Sequence, residues 1–198
     1  MMINTIKDKA FVSRKTIHVR EITCVAYQRT DGLIDIEGTL VDTKPEGIFL
    51  QERGGIGPDE PVHEMTLRLT VDRGLQIHDV VAETVHSPFS ICGAITEHYK
   101  LLLIGQQIGP GFIKSAKRNF RGTSGCTHLT ELLPSISTTA FQALWGEPAN
   151  VDGSELRADE SSKLPFDGCH ALRSDGVIVK MYYPEAYSNE QAESHDPA

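Results

Sequence analysis

Residues 65–85 read MTLRLTVDRGLQIHDVVAETV and contain the clearest strand pattern of the chain. Its first seven residues alternate between apolar and polar side chains, and a second apolar run returns over residues 77–85. Successive side chains of a strand point to opposite faces, so the alternation is typical of a strand with one buried face. The intervening residues 72–74, DRG, are suited to a tight turn. We therefore predict an antiparallel hairpin here.

A similar hairpin is predicted immediately upstream. Residues 16–28 are rich in β-branched side chains, residues 30–32 (TDG) supply a turn, and residues 33–41 alternate again. Between the two hairpins, residues 44–61 contain four glycines and three prolines. This density of turn formers predicts a long loop with no regular element. Loops of this length often serve as lids or binding loops.

The period of the sequence changes after the second hairpin, and helices are expected. Ser87-Pro88 is typical of a helix N-cap followed by proline, and we predict a helix from there to about Gly105. A short helix over residues 112–119 and a longer one over residues 126–144, bent at its internal proline, follow. Sheet first and helices afterwards is an α+β pattern, so the predicted fold class is α+β with an N-terminal antiparallel, hairpin-rich sheet.

The C-terminal part is predicted to be mostly irregular. Residues 147–163 are polar and predict a loop, whereas residues 169–172 predict a turn and residues 177–183 a final strand. The length of the chain fits one domain, which we assign to residues 1–187, and the polar residues 188–198 are typical of a disordered tail.

Composition and charge narrow the class of protein. The chain has 198 residues, of which 27 are acidic and 19 basic, and the resulting net charge of −8 argues against nucleic-acid binding. No apolar run approaches the roughly 20 residues that cross a bilayer, and the first residues lack the apolar core of a secretory signal. We predict a cytoplasmic protein that binds neither nucleic acid nor membrane. A homo-oligomer is compatible with the sequence.

The cysteines are the first candidates for chemistry. Cys24, Cys92, Cys126 and Cys169 contain no CxxC pair, which excludes a simple zinc finger or thioredoxin motif. Cys126 lies in GTSGCTHLTELL, at a predicted helix start, where unpaired N–H groups favour the thiolate. Cys92 lies near the start of the predicted helix that follows Ser87-Pro88. The alternative for each is a small buried hydrophobic residue.

Histidines and carboxylates supply further candidates. His63 and Glu64 are adjacent, and an imidazole beside a carboxylate suits metal binding or general base catalysis. His128 is two residues beyond Cys126 and would point about 200° away on a regular helix, which favours a solvent-facing or capping role. Glu131 is a candidate supporting carboxylate or a surface residue. The other candidate is the pair Cys169-His170. We interpret the remaining histidines as structural; they are His18, His78, His86 and His98.

One basic group stands out against the acidic background. Lys114, Lys117, Arg118 and Arg121 have near-helical spacing and could hold an anionic group of a small ligand. The alternative is a solvated helix face that balances the acidic surface.

Four segments resemble a bacterial family known as domain of unknown function 2889. They are IHVREITCVAYQRTDGLIDIEGTLVDTK, PVHEMTLRLTVD, GCTHLTELL and CHAL. The resemblance extends from Ile17 to about Pro184 and is specific in GCTHLTEL. It implies membership of a family without implying a reaction.

More distantly, residues 61–145 resemble the U-type iron–sulfur scaffold proteins, in which a hairpin precedes two cysteines that each open a helix. Cys92 and Cys126 are similar in position to those cysteines. The first scaffold cysteine has no counterpart, and His63 or Glu64 occupies its neighbourhood. The resemblance implies the scaffold fold and a ligand set that suits zinc or a single iron better than a transferable cluster.

Three functions remain open at this stage. The first is a metal-binding protein that uses His63, Cys92 and Cys126. Its fourth ligand would be His128 or Glu64, and zinc or iron would assist a lyase, hydratase or hydrolase step on a small acyl or aromatic substrate. The second is a metal-free enzyme that uses Cys126 or His63 as nucleophile or acid–base group. The third is a non-enzymatic iron–sulfur or partner-binding scaffold.

Overall fold

The computed structural model describes residues 12–144 and 164–188. The chain divides into two compact units, the first ending at Gly146 and the second beginning at Glu147. The predicted loop over residues 147–163 and the predicted tail beyond Ser188 lie outside the described residues. No helix among the described residues is long and apolar enough to span a bilayer.

Four long strands form the main sheet of the first unit, and they lie in the sheet in the order in which they follow one another in the chain. All neighbours are antiparallel, as predicted from the two hairpins. The strands are β1 (Val19–Gln28), β2 (Ile34–Thr43), β5 (Pro61–Val71) and β6 (Ile77–His86). The α+β prediction is confirmed, because this sheet precedes all the helices of the chain that the structure describes.

The structure corrects the prediction that residues 44–61 form a loop with no regular element. It contains a small hairpin of β3 (Ile48–Leu50) and β4 (Gly54–Ile56). Gly54 has a φ of +74°, which glycine adopts at little cost, so one of the residues taken as a strand breaker enables the turn. Leu50 is buried and Arg53 Nη1 donates to the Pro61 carbonyl at 2.7 Å, so the hairpin is tied to the main sheet.

The helices follow β6. They are α1 (Thr96–Leu103), α2 (Phe112–Asn119) and α3 (Thr127–Leu144). The predicted N-cap at Ser87 is wrong, since the Ser87 hydroxyl donates to the Phe89 carbonyl and a 3₁₀ helix, Ser90–Ile95, fills the region before α1. Gly93 lies inside that segment, and glycine costs about 1 kcal/mol in an α-helix interior. The α2 prediction is confirmed, and α3 begins one residue later than predicted.

Helices cover one face of the sheet. The helix α3 contacts β1, β2 and β5, whereas α1 contacts β6. Gly38 of β2 allows the close approach of α3, because a Cβ at this position would lie 2.8 Å from Ile136 Cδ1. The core between the layers is aliphatic and aromatic and includes Ile36, Leu67 and Leu132, all fully buried.

The second unit is small and helical over residues 164–188. It contains a 3₁₀ turn, His170–Leu172, then α4 (Val177–Tyr182) and a second turn, Pro184–Ala186. The predicted strand over residues 177–183 is therefore wrong. Its β-branched residues favour a strand locally, but the Lys180 N–H donates to the Gly176 carbonyl at 3.0 Å, which closes a helical turn.

Candidate functional site

A row of ionisable side chains crosses the main sheet at one end of its core-facing side. Arg20 of β1 pairs directly with Asp42 of β2, and Asp42 pairs directly with His63 of β5. On β2 the buried face runs through Ile34, Ile36, Gly38 and Leu40, and Asp42 is the next residue in that phase. The same period-2 alternation on β5 gives His63 the phase of Met65 and Leu67. The core face therefore ends in a polar row.

His128 joins this row from the first turn of α3. Its ring stacks on the His63 ring with centroids 3.8 Å apart and planes inclined by 27°. His128 Nε2 lies 3.4 Å from Asp42 Oδ2, and His63 Nδ1 lies 3.3 Å from the same oxygen. Donor atoms of Asp42, His63 and His128 all lie within 4.8 Å of one another, which makes them a candidate metal-binding triad.

A bulge accompanies the triad. The β2–β5 register shifts between Asp42 and Thr43, so that Thr43 pairs with Pro61 and Val62 is the extra residue. Bulges re-aim side chains and are over-represented beside active sites. Here the shift lies next to both Asp42 and His63 in the chain.

Asp42 is almost fully buried, with 2% of its surface exposed, and it is well supported. Arg20 Nε and Nη2 donate to Asp42 Oδ1 and Oδ2, both at 2.7 Å, in a bidentate pair. His18 Nε2 lies 3.1 Å from Oδ1. Burial alone would raise the pKa of Asp42, but the Arg20 hydrogen bonds and charge, together with His128 and His18, lower it below its ordinary value. Asp42 is therefore a carboxylate at neutral pH.

The two stacked imidazoles are neutral. Burial, and after it the neighbouring His128, lower the pKa of His63 to about 4 even though Asp42 opposes both effects. Burial also lowers the pKa of His128, against the attraction of Asp42. A neutral imidazole has a free nitrogen lone pair, which a metal ligand or a general base requires.

Cys126 borders the triad without belonging to it. Its Sγ lies 3.8 Å from His128 Nδ1, on the side of the ring opposite Asp42. Cys126 is the residue before α3, and its carbonyl accepts the Thr130 N–H at 3.0 Å. Because Cys126 lies outside the helix, the angle of about 200° expected between it and His128 on a regular helix does not apply.

The other residues predicted from the sequence lie elsewhere. Cys92 is in the 3₁₀ helix before α1 and is absent from the triad, the only such donor group among the described residues. Glu64 pairs with His86, with Oε2 and Nδ1 2.7 Å apart. The basic residues of α2 are exposed; they are Lys114, Lys117 and Arg118. The candidate pair of the second unit, Cys169 and His170, is exposed as well. Glu131 is exposed but close enough to Arg20 to raise the pKa of that residue.

Three members of the cluster were not predicted from the sequence. Asp42 and Arg20 were not named, and His18 was interpreted as structural. The alternation that identified Ile34 and Ile36 extends unbroken to Asp42, and an acidic residue in a core phase is the signal that could have found it. His18 and Arg20 share the period-2 alternation of Cys24 in β1, so their side chains lie on the same face as Cys24, at the end of the sheet where Asp42 lies.

Comparison with known proteins adds a family. Residues 18–142 match the model of a family described as a protein of unknown function, DUF2889. The chain belongs to the DUF2889 family. The matched region contains every residue of the triad, together with Arg20, His18 and Cys126.

No curated protein matches the chain, and no solved structure does either. The predicted resemblance to the U-type iron–sulfur scaffolds thus has no support from these comparisons, whereas the DUF2889 resemblance is confirmed over the matched residues.

Proposed function

We propose that Asp42, His63 and His128 bind a divalent transition-metal ion. The observation that carries the proposal is the convergence of one buried carboxylate and two neutral imidazoles within 4.8 Å. Two histidines and one carboxylate are a recurrent ligand set for zinc and for non-haem iron(II). The ligands come from two adjacent strands and a helix, and rigid elements of this kind hold a site more precisely than loops do.

Three protein ligands leave coordination positions free, as in catalytic zinc sites. A metal held in this way can lower the pKa of bound water or polarise a carbonyl group. We therefore propose metal-assisted addition of water to, or its removal from, a small acyl or aromatic substrate. The part that this chain supplies is the orientation of the ligands.

Arg20 has a supporting role in this proposal. Its bidentate pair fixes the plane of the Asp42 carboxylate, and hydrogen-bonded ligands of this kind bind metal more tightly than free ones. Oδ2 retains a lone pair directed at the two imidazoles, since a carboxylate oxygen accepts two bonds. The Cys126 sulfur, 3.8 Å from His128 Nδ1, lies where it can accept the Nδ1–H and leave Nε2 as the ligand nitrogen.

A second candidate is a metal-free enzyme that uses Cys126. The observation in its favour is the line of contacts from Cys126 Sγ to His128 Nδ1 at 3.8 Å, and from His128 Nε2 to Asp42 Oδ2 at 3.4 Å. A thiol, an imidazole and a carboxylate in this order can generate a nucleophilic thiolate. Arg20 already balances the charge of Asp42, so this candidate requires no added cation.

Elemental analysis and zinc titration of untagged protein test the first candidate. We expect about one equivalent of bound metal, and we expect His128→Gln to weaken zinc binding at least 100-fold. His78→Gln is the matched control, because His78 pairs with Asp72 at the other end of the second hairpin. Wild-type protein that binds zinc no better than His128→Gln would exclude the proposal.

Thiol reactivity separates the two candidates. The metal candidate predicts that Cys126→Ser retains its zinc with an affinity within about tenfold of wild type. The thiol candidate predicts that Cys126 is alkylated faster than the exposed Cys169 at neutral pH, and that His128→Gln abolishes the difference. Slow labelling of Cys126 in metal-free protein would exclude the thiol candidate.

A further inference from the structure

Tyr99 of α1 is completely buried beneath the candidate site. Its hydroxyl lies 2.8 Å from the Cys126 carbonyl, 3.0 Å from the Cys126 N–H and 2.7 Å from Thr130 Oγ1. A phenolic hydroxyl has one donor and two acceptor sites, and these three contacts use all of them. With none of its surface exposed, Tyr99 is a buried polar group whose partners are both residues at the start of α3.

The contacts of Tyr99 bear on His128 through the helix start. Cys126 is the residue that precedes α3, and His128 is the second residue of the helix. Each helical residue turns the side chain by about 100°, so the point at which α3 begins, directly after Cys126, sets the direction in which the His128 ring leaves the helix. The Cys126 N–H has Tyr99 as its acceptor, and helix starts need such partners for their unpaired N–H groups.

A second residue, Phe120, contacts both Tyr99 and the same segment. The Phe120 ring stacks on the Tyr99 ring with centroids 4.0 Å apart and planes inclined by 7°. Gly125 approaches the Phe120 backbone so closely that a Cβ there would lie 2.4 Å from the Phe120 carbonyl oxygen. The segment from Gly125 to Cys126 is thus confined between the Phe120 backbone and the Tyr99 hydroxyl.

We infer that Tyr99 is a positioning residue for the candidate site: its hydroxyl fixes the Cys126 backbone and thereby aims His128 Nε2 at Asp42. Only the expected effect on metal binding rests on the proposed function. The aim of the ring is a property of the protein without metal, and it can be measured separately.

The test compares Tyr99→Phe with Thr70→Val. Each variant removes one buried hydroxyl, but Thr70 Oγ1 donates to Asp35 at 2.6 Å, away from the triad. We expect Tyr99→Phe to weaken zinc binding by ten- to a hundredfold, as loss of an outer partner of a ligand does. Thr70→Val should leave the zinc dissociation constant within twofold of wild type. Circular dichroism verifies that both variants are folded at the temperature of the titration.

A second measurement uses the metal-free protein. Long-range ¹H–¹⁵N spectra report the tautomer and surroundings of each imidazole, and we expect Tyr99→Phe to change the His128 ring nitrogens while His78 stays unchanged. A change in His128 without zinc binding by wild-type protein would uphold Tyr99 as a positioning residue and reject the metal. Unchanged His128 resonances would overturn the inference, and so would equal zinc affinity in Tyr99→Phe and Thr70→Val when wild-type protein binds zinc.

Discussion

The two ends of the core-facing side of the main sheet differ in kind. At one end, Ile34 pairs with Val71 and Ile36 pairs with Leu69 across β2 and β5, and all four are buried. At the other end, the same two strands in the same phase place Asp42 opposite His63. We call these the apolar end and the polar end of the sheet. Antiparallel pairing of β2 with β5 continues through both ends, and the polar end differs in its side chains and in the bulge at Val62.

This difference indicates which end serves stability and which serves chemistry. Burial of an aliphatic side chain contributes about 1.5–3 kcal/mol to stability, as at the apolar end. A buried ion pair contributes little net stability, because desolvation offsets the attraction of its charges. The polar end therefore has no evident stability rationale for its ionisable residues, and local departures of this type are expected at functional sites.

The largest expected effect follows from breaking the Arg20–Asp42 pair. Arg20→Met leaves the buried Asp42 carboxylate without its main partner, and because Arg20 itself is exposed to water we expect the free energy of unfolding to fall by about 2–3 kcal/mol, less than for a fully buried pair. Chemical denaturation at pH 7 measures the loss.

The double variant Arg20→Met/Asp42→Leu removes both charges and extends the apolar end. We expect it to recover most of the stability and to lose zinc binding. A double variant as unstable as Arg20→Met would contradict the view that the polar end is dispensable for folding.

The next effect is on the pH dependence of stability. The pKa of His63 is about 4 in the folded protein and about 6.5 when unfolded, so the unfolded state binds more protons between these values. The free energy of unfolding is therefore unaffected by His63 titration above about pH 6.5, and it decreases as the pH falls from 6.5 toward 4. We expect a loss of about 2 kcal/mol at pH 5 from this residue.

Denaturation of metal-free His63→Phe over the same range supplies the control. The variant should lose correspondingly less stability between pH 7 and pH 5. Parallel pH profiles for wild type and variant would show that His63 titrates as it does in an unfolded chain.

A smaller effect is expected between the two ends, at Gly38. Gly38→Ala places a methyl group 2.8 Å from Ile136 Cδ1, and this overpacking should cost about 1–2 kcal/mol. Combining it with Ile136→Val provides room and should recover part of the loss. If Gly38→Ala by itself left the free energy of unfolding unchanged, that result would contradict the close approach of α3 to β2.

The smallest effect is expected far from both ends. Lys114→Gln and Lys117→Gln alter exposed residues of α2, and we expect stability to change by less than about 0.5 kcal/mol. Zinc affinity should be unchanged. A marked loss of anion binding would instead support the prediction that these residues hold an anionic ligand.

The long strands were more predictable from the sequence than the short elements. Period-2 alternation and turn residues specify both long hairpins, so the ends of the four long strands were predictable to within four residues. Short elements were not, because β3 and β4 depend on pairing with each other, and the β-branched residues of α4 favour a strand that the local helical hydrogen bonds override.

The candidate site was predictable only in part. His63, Cys126 and His128 were named, but the direction of His128 depends on where α3 begins, and a shift of one residue rotates a side chain by about 100°. That start is held by Tyr99, which is 27 residues away in sequence from Cys126. The pairing of Asp42 with His63 depends on the register between β2 and β5. The small β3–β4 hairpin separates these strands in the chain, so local sequence patterns do not specify that register.

X-ray absorption spectroscopy of the zinc-loaded protein tests the central claim most directly. The account predicts a first coordination sphere of nitrogen and oxygen at about 2.0–2.2 Å, with the imidazole scattering reduced in His128→Gln. A Zn–S distance of about 2.3 Å would instead indicate ligation by thiolates such as Cys126 and would contradict the Asp42–His63–His128 site.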